Sequence, residues 1–458
     1  MTGRQRAALI VLLTASFTLA VDFSILNVAL PTIGADVGFG IANLQWIATA
    51  FALCSAGFTL LMGRVGDIAG RRRMFLVGMA LLGAGSLTGA LSTTPAMLIS
   101  ARVAQGFATA IVVPAALALL LRLFPEGKAR DRALGLNGSL MAAGFTAGAI
   151  LGGVLTDLLS WRWAFFINVP IAIGVLIFAP MVLSEARSAT KTRLDVPGAI
   201  TVTVGLLALV FGFTNAAETS WSSPLTLVSL AAAVVLFISF AFIESRTAFP
   251  LVPLRILRRS NIAWGNVTGT LAFITETSLV FLLTLYLQKV LGFTPLGAGL
   301  TFAVLGLGTV TGGLVGPRII GRFGNKAAIV GGFLVQAVAT LSLVLITPNL
   351  SSIALVLIAT FIGGIANLVV IVGFMVTATS GLPEDEQGLA TGLTTMSQQV
   401  GITMGTPIMS AVFTAVVLAS TAPQGEAVLA GVTTAIWVNG GICVLGAVIV
   451  AAFLRRRN

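Results

Sequence analysis

The chain has 458 residues, of which 57% are hydrophobic and only 9% charged, where ordinary soluble domains carry about a quarter, so it lacks the polar surface of a water-soluble body. It has no histidine, which excludes His-ligated metal sites, Ser-His-Asp triads and imidazole proton shuttles, and its two cysteines, Cys54 and Cys443, lie far apart in apolar runs, which excludes a disulfide framework. The net charge of +11 does not point to nucleic acid, because the bases sit between apolar segments and not on a folded basic patch.

A spanning helix needs about 20 mostly apolar residues. Apolar runs between charged or Pro/Gly-rich breaks predict fourteen, near 7–30, 43–62, 74–93, 96–121, 133–156, 163–183, 196–214, 224–243, 261–287, 296–316, 327–347, 352–379, 388–418 and 429–453. The first run follows Arg4 and Arg6 like a signal peptide, but it carries Asp22 and no small-residue cleavage site, so it is read as retained.

Loops rich in Lys and Arg stay cytoplasmic. With a cytoplasmic N-terminus and fourteen spans, alternate loops collect 23 of the 26 bases, from Arg4 and Arg6 through Arg64 and Arg71–Arg73 to Arg455–Arg457. Only Arg162 and Lys289 fall on the far side, and Arg102 lies inside a span. Both termini are therefore expected in the cytoplasm of a multi-pass cell-membrane protein.

The halves of the chain repeat one another. Gly135, Gly148 and Gly152 of span 5 match Gly388, Gly401 and Gly405 of span 13 at an offset of 253. Phe124-Pro125-Glu126 matches Leu382-Pro383-Glu384 at 258, an offset shared by Gly106 and Gly364. The expectation is an all-α membrane protein of fourteen transmembrane helices, with two pseudo-symmetric six-helix bundles at 1–190 and 256–458 and a two-helix insert, spans 7 and 8, within 191–255.

Several segments resemble a known family. Val21-Asp22-Phe23-Ser24-Ile25-Leu26-Asn27-Val28-Ala29-Leu30-Pro31 resembles the first-span signature of the major facilitator superfamily, in its fourteen-spanning drug/proton antiporter branch. Gln45-Trp46-Ile47, the loop from Gly63 to Arg72, Ala101-Arg102-Val103-Ala104-Gln105-Gly106 and Trp161 to Pro170 continue the likeness. Two departures stand out: Ala149 replaces the proline usual in span 5 of the antiporters, and the second copy of the loop motif, Gly316 to Lys326, lacks an acidic residue.

Of 15 acids, only Asp22 and Glu276 lie well inside predicted spans, and among the bases only Arg102 does. Ionised side chains at mid-bilayer cost about 2.5–3.5 kcal/mol on insertion scales and normally face a cavity or a partner. Asp22 lies eight residues from Leu30 and Arg102 seven from Pro95, which at 1.5 Å per residue places both about 10–12 Å below one surface. Asp22 is then either a proton site, its proton affinity responding to burial and to Arg102, or half of a fixed ion pair; Arg102 tunes it and holds the helix. Glu276, at an offset of 254 from Asp22, either holds a proton or attracts a cationic substrate, or is a protonated acid hydrogen-bonded to Thr275 or Asn266.

Polar candidates for a substrate cavity are Asn27, Gln45, Gln105, Asn137, Asn266, Asn367 and Gln398, together with Glu276. By resemblance the loop carrying Gly63, Asp67, Gly70 and Arg71 is a cytoplasmic latch in which Asp67 caps a neighbouring helix and pairs with arginine, the glycines allowing a tight turn; otherwise Arg71–Arg73 only set topology. Gly144, Gly148, Gly152 and Gly153 are read as helix-packing sites.

The function expected is proton-coupled export of hydrophobic or cationic drugs by alternating access, with no enzyme activity, no metal and no cofactor beyond the coupling proton. The alternative is a dedicated exporter of one metabolite or a lipid on the same fold. Its partners are a small amphipathic substrate and the lipid bilayer, with no nucleic acid, and the chain is expected to act as a monomer.

Overall fold

The computed structural model describes residues 2–38, 46–185, 195–247, 250, 256, 259–380 and 387–454. Among them, fourteen helices are long and apolar enough to cross a membrane. They are α1 (Gly3–Val37), α2 (Trp46–Ala69), α3 (Arg71–Ala90), α4 (Pro95–Leu123), α5 (Lys128–Leu158), α6 (Trp163–Val182), α7 (Val196–Glu218) and α8 (Pro224–Glu244), followed by α9 (Ser260–Leu285), α10 (Pro295–Phe323), α11 (Asn325–Ser342), α12 (Ser352–Thr379), α13 (Gln387–Ala419) and α14 (Gln424–Phe453). Local chemistry starts several of them. Thr94 and Thr294 each cap their helix through the side-chain oxygen, accepting from Met97 N and Gly297 N, and each is followed by a proline at the first helical position.

The first six and last six helices make matching contacts. A Cβ added at Gly144 would meet Phe17 O of α1 at 2.9 Å, and one at Gly148 would meet Val21 O at 2.7 Å and the Ser24 hydroxyl. On the other side, Gly401 meets Thr270 O of α9 at 2.6 Å, and Gly405 meets Ile274 O at 2.7 Å and the Thr277 hydroxyl. The contacts pair Val21 with Ile274 and Ser24 with Thr277 at an offset of 253, but Gly144 with Gly401 and Gly148 with Gly405 at 257. The glycine register expected from sequence is thus one helical turn out. Glycines spaced by four match themselves after a slip of four, and only the partner helix resolves it. Gly106 and Gly364 keep the expected 258, lying against Phe51 O of α2 and Leu305 O of α10.

The insert is asymmetric. α7 packs against both α2 and α13, sharing a small core of Leu60, Val202, Leu206 and Leu393, while α8 touches mainly α7 and is otherwise exposed. Both expected domain boundaries adjoin residues outside the described set.

Buried apolar side chains distribute unevenly along the helices. Toward the ends that carry most Lys and Arg, one continuous core runs across both sets of six, from Leu12, Met79 and Leu117 to Ile320, Phe333 and Val372. Toward the opposite ends there are two separate cores, one around Ile25, Ile47 and Phe165 and the other around Leu282, Tyr286 and Val432. The two sets of helices share one apolar core at the basic face and have separate cores beyond it.

Candidate functional site

Five helices converge on Asp22. Arg102 and Gln105, three apart on α4, share one helix face and both turn toward α1; Ser86 comes from α3 and Asn168 from α6. All are sealed from solvent, Asp22 at 0% exposure and Arg102 at 1%. Arg102 Nη1 lies 3.3 Å from Asp22 Oδ2, and Gln105 Nε2 and Asn168 Nδ2 donate to Asp22 Oδ1 at 2.7 and 2.5 Å. The same two amides donate to Ser86 Oγ at 2.9 and 3.2 Å. The rest of the guanidinium is also engaged: Nε donates to Ile47 O of α2 at 2.9 Å, Nη1 to Gln105 Oε1 at 2.8 Å, and Cζ stands 4.3 Å from the centre of the Phe51 ring. One acid and one base are thus held by neutral amides in a dry site. Removing one charge from such a pair is costly, whereas removing both is often neutral.

The expected pairing of Asp22 with Arg102 is present. Gln105, expected in a substrate cavity, belongs instead to this network, because it lies one turn along α4 from Arg102 and every polar atom it carries is used there. Asn168 and Ser86 were missed as site residues. Asn168 lies within the Trp161–Pro170 segment that resembles the family hallmark, while a serine in an apolar span carries no signal of its own.

Among the described residues the second half has no such charged network. With α9 in register at 253, Thr275 takes the place of Asp22, and Glu276 takes that of Phe23. The offset of 254 expected for Glu276 is therefore wrong by one residue, and one residue turns a helical side chain by about 100°. Thr275 accepts from Gln336 Nε2 at 3.1 Å, and its carbonyl accepts from Asn439 Nδ2, also at 3.1 Å. At the offset of 258 for α4 and α12, Thr360 stands for Arg102 and Gly363 for Gln105. The charged cluster has a wholly neutral counterpart.

Glu276 faces the seam between the two halves. With Gly138, Met141 and Phe145 of α5, Phe273 of α9, and Ile371 and Met375 of α12, it lines a cavity of about 10 Å³, room for a single water. Neither Thr275 nor Asn266 bonds it, and no hydrogen bond or ion pair reaches its carboxylate among the described residues. Two expected cavity residues approach the same wall through Met141: Gln398 Nε2 lies 3.5 Å and Asn137 Nδ2 3.8 Å from its sulfur. Two others instead tie helices together. Asn266 accepts from Ser397 Oγ at 2.9 Å, and Asn367 donates to Ala272 O at 3.1 Å. Gln45 and the side chain of Asn27 lie outside the described residues.

The loop between α2 and α3 differs from expectation. α2 continues unbroken through Gly63 and Gly66 to Ala69, so the turn is Gly70 alone, at φ +103°. Gly63 serves close packing instead, a Cβ there lying 3.4 Å from Gly392 Cα across the seam. Asp67 pairs with Arg71 at 3.1 Å, one turn away, and among the described residues it caps no neighbouring helix; residues 381–386, ahead of α13, lie outside that set. Glu185, beyond α6, meets the start of α3 instead, its Oε2 accepting from Arg73 N at 3.1 Å. Gly144, Gly148 and Gly152 pack directly on α1, as expected, and Gly153 is buried. Across the seam at the basic face, buried Arg130 of α5 donates to Thr379 O at the end of α12 at 2.9 Å. At the opposite face Arg162 pairs with Asp36 at 2.5 Å and also donates to Ser92 O. The Arg162 hydrogen bond, then that of Trp161, holds the exposed Asp36 carboxyl below the usual carboxylate range.

Twelve spanning helices in two matched sets of six, one set with a sealed ionisable network, and a two-helix insert define a membrane transporter. The chain belongs to the Major Facilitator Superfamily, whose profile matches residues 12–406, and it is a multi-pass transporter of small molecules. It is 36% identical over 421 residues to a cephamycin export protein of Amycolatopsis lactamdurans, covering 89% of this chain and 85% of that protein. A puromycin resistance protein of Streptomyces alboniger is 33% identical, with coverage of 99% and 92%. The human organic anion transporter MFSD10 shares the fold, with a TM-score of 0.72 at 17% identity over 98% of this chain and 100% of that one.

Proposed function

We propose that this transporter exports hydrophobic or cationic drugs or antibiotics in exchange for protons, moving them across the cytoplasmic membrane by alternating access, with both termini in the cytoplasm. Export is supported by the relatives, named for cephamycin export and for puromycin resistance. The orientation rests on the concentration of Lys and Arg on one face. On that orientation the joined face is the cytoplasmic one, so the conformation described is closed inward, and Arg130 to Thr379 is one of the bonds that must break before the cavity opens to the cytoplasm.

The observation that carries the coupling is the sealed Asp22 network. Its buried Arg102 and amide donors hold a carboxylate where water does not, and Asn168 Oδ1 is a buried acceptor without a partner. Turning the Asn168 amide over presents that oxygen to Asp22, so a proton arriving on the carboxyl has an acceptor to donate to. Rocking one bundle against the other opens the seam to each side in turn, and because the Asp22 network lies wholly inside the first bundle, a shift of α1 against α4 within that bundle must accompany it to expose the carboxyl. Glu276 gives cationic substrates a counter-charge at the seam, and the cavity there must widen to admit one. Purified protein in liposomes should move a lipophilic cation against an imposed proton gradient, and Asp22→Asn should abolish the coupling; undiminished proton-driven transport in that variant rejects the assignment. A second reading, a dedicated exporter of one compound, draws on the single antibiotics in the relatives' names. A transport profile across unrelated compounds separates the two.

A further inference from the structure

The second copy of the loop motif carries three bases and has lost its acid. At an offset of 254, Arg64 corresponds to Arg318, Asp67 to Gly321, Ile68 to Arg322, Gly70 to Gly324 and Arg72 to Lys326. The turn itself is kept, with Gly70 at φ +103° and Gly324 at φ +81°. In the first copy carboxylates are at hand: Arg71 pairs with Asp67, and Glu185 accepts from Arg73 N. In the second, the sequence holds no acid from Thr277 to Pro383, and among the described residues no carboxylate pairs with Arg318, Arg322 or Lys326. Arg318 and Arg322 are exposed and Lys326 half-exposed.

Each of these bases directly precedes, in the chain, a residue that lines a groove: Ile319, Phe323 and Ala327. α10 and α11 both pack along α12 but barely touch each other, leaving a cleft of about 350 Å³. Ile319 and Phe323 form one wall and Ala327, Gly331 and Val335 the other, with Ile365 and Val369 among the floor residues. From Ala327 to Val335 it runs eight residues, about 12 Å at 1.5 Å per residue, close to one leaflet of a hydrocarbon core about 30 Å thick. Gly331 keeps it open, for nothing lies within 4 Å of a Cβ built there. An apolar cleft about one leaflet deep, beside three cations that no carboxylate pairs among the described residues, matches one kind of molecule in both parts.

We propose that this groove is a binding site for an anionic phospholipid, one acyl chain lying between α10 and α11 and the phosphate held by Arg318, Arg322 and Lys326. The site is separate from the Asp22 network and from the seam, and it does not depend on what the protein transports. Full-length protein in detergent, incubated with phosphatidylglycerol, phosphatidylcholine or inorganic phosphate, tests it by native mass spectrometry with melting temperature alongside. The expected result is preferential retention of one phosphatidylglycerol, several-fold over phosphatidylcholine, with a raised melting temperature. The Arg318→Gln/Arg322→Gln/Lys326→Gln variant should bind the two lipids alike, and Gly331→Trp, which fills the cleft and leaves the bases, should retain neither. Should the triple variant aggregate, Arg322→Gln alone is the substitute, with preference reduced in part. Equal retention of both lipids by the wild type, phosphatidylglycerol retention untouched by these variants, displacement by inorganic phosphate alone, or a dimer that Gly331→Trp disrupts without lipid loss would each overturn the proposal.

Discussion

Replacing Asp22 with asparagine changes almost no volume and removes one charge, which makes its cost calculable. Oδ1 accepts from Gln105 and Asn168, while Oδ2 faces Arg102 Nη1 at 3.3 Å. An asparagine that keeps its oxygen toward the two amides must turn its own NH2 toward the guanidinium, donor against donor. At an effective dielectric of about 20, the lost attraction at that distance is about 5 kcal/mol, in line with the ~3–5 kcal/mol found when a buried pair loses one member. Against a total stability of about 5–15 kcal/mol, the melting temperature of purified Asp22→Asn in detergent should fall clearly. Asp22→Asn/Arg102→Met removes both charges and should recover most of the loss, although Gln105 Oε1 then lacks its donor. Proton coupling should stay absent in both variants, separating chemistry from stability. If Asp22→Asn is as stable as wild type, or the double variant no better than the single, Arg102 does not depend on a charged Asp22.

Gly148→Ala should cost about 1–3 kcal/mol by overpacking, because its Cβ meets Val21 O at 2.7 Å, whereas Gly441→Ala, with nothing within 4 Å, should be neutral or gain up to ~1 kcal/mol; thermal melts of the pair compare them directly. Glu276→Gln should reduce transport of cationic substrates while sparing neutral ones, and equal loss of both would argue for a structural role. The Asp36 carboxyl is held low by Arg162 and Trp161, so its contribution is present above the ordinary carboxylate range near pH 4 and fades as pH falls through its own lower value. The stability gap between wild type and Asp36→Asn should accordingly close on acidification below about pH 4, and a gap that widens there would contradict the pairing.

The span count, the segregation of bases and the Asp22–Arg102 pair were legible in the chain because each follows from a local rule: apolar length, loop charge, or the cost of a charge in lipid. The role of the span-5 glycines as close-packing sites was legible for the same reason, since a small residue every fourth position leaves one helix face open, but that α1 is the helix they pack on was not. Registers between helices were not. Gly144, Gly148 and Gly152 repeat every turn, so the match to α13 slipped by four, and a one-residue error on α9 set Glu276 opposite Asp22 when Thr275 holds that place. Asn168, Ser86 and Glu185 stayed hidden because their roles depend on helices 64–146 positions away in the chain meeting Asp22, or 112 in the case of Glu185 and Arg73. Composition marked this as a membrane protein, and the order of apolar runs along the chain counted fourteen spans and reduced its ionisable interior to Asp22, Arg102 and Glu276. Only tertiary packing decided that two of these are locked together out of water and the third looks onto the seam, because a residue's periodicity sets the side of its helix while the neighbouring helices determine what it faces.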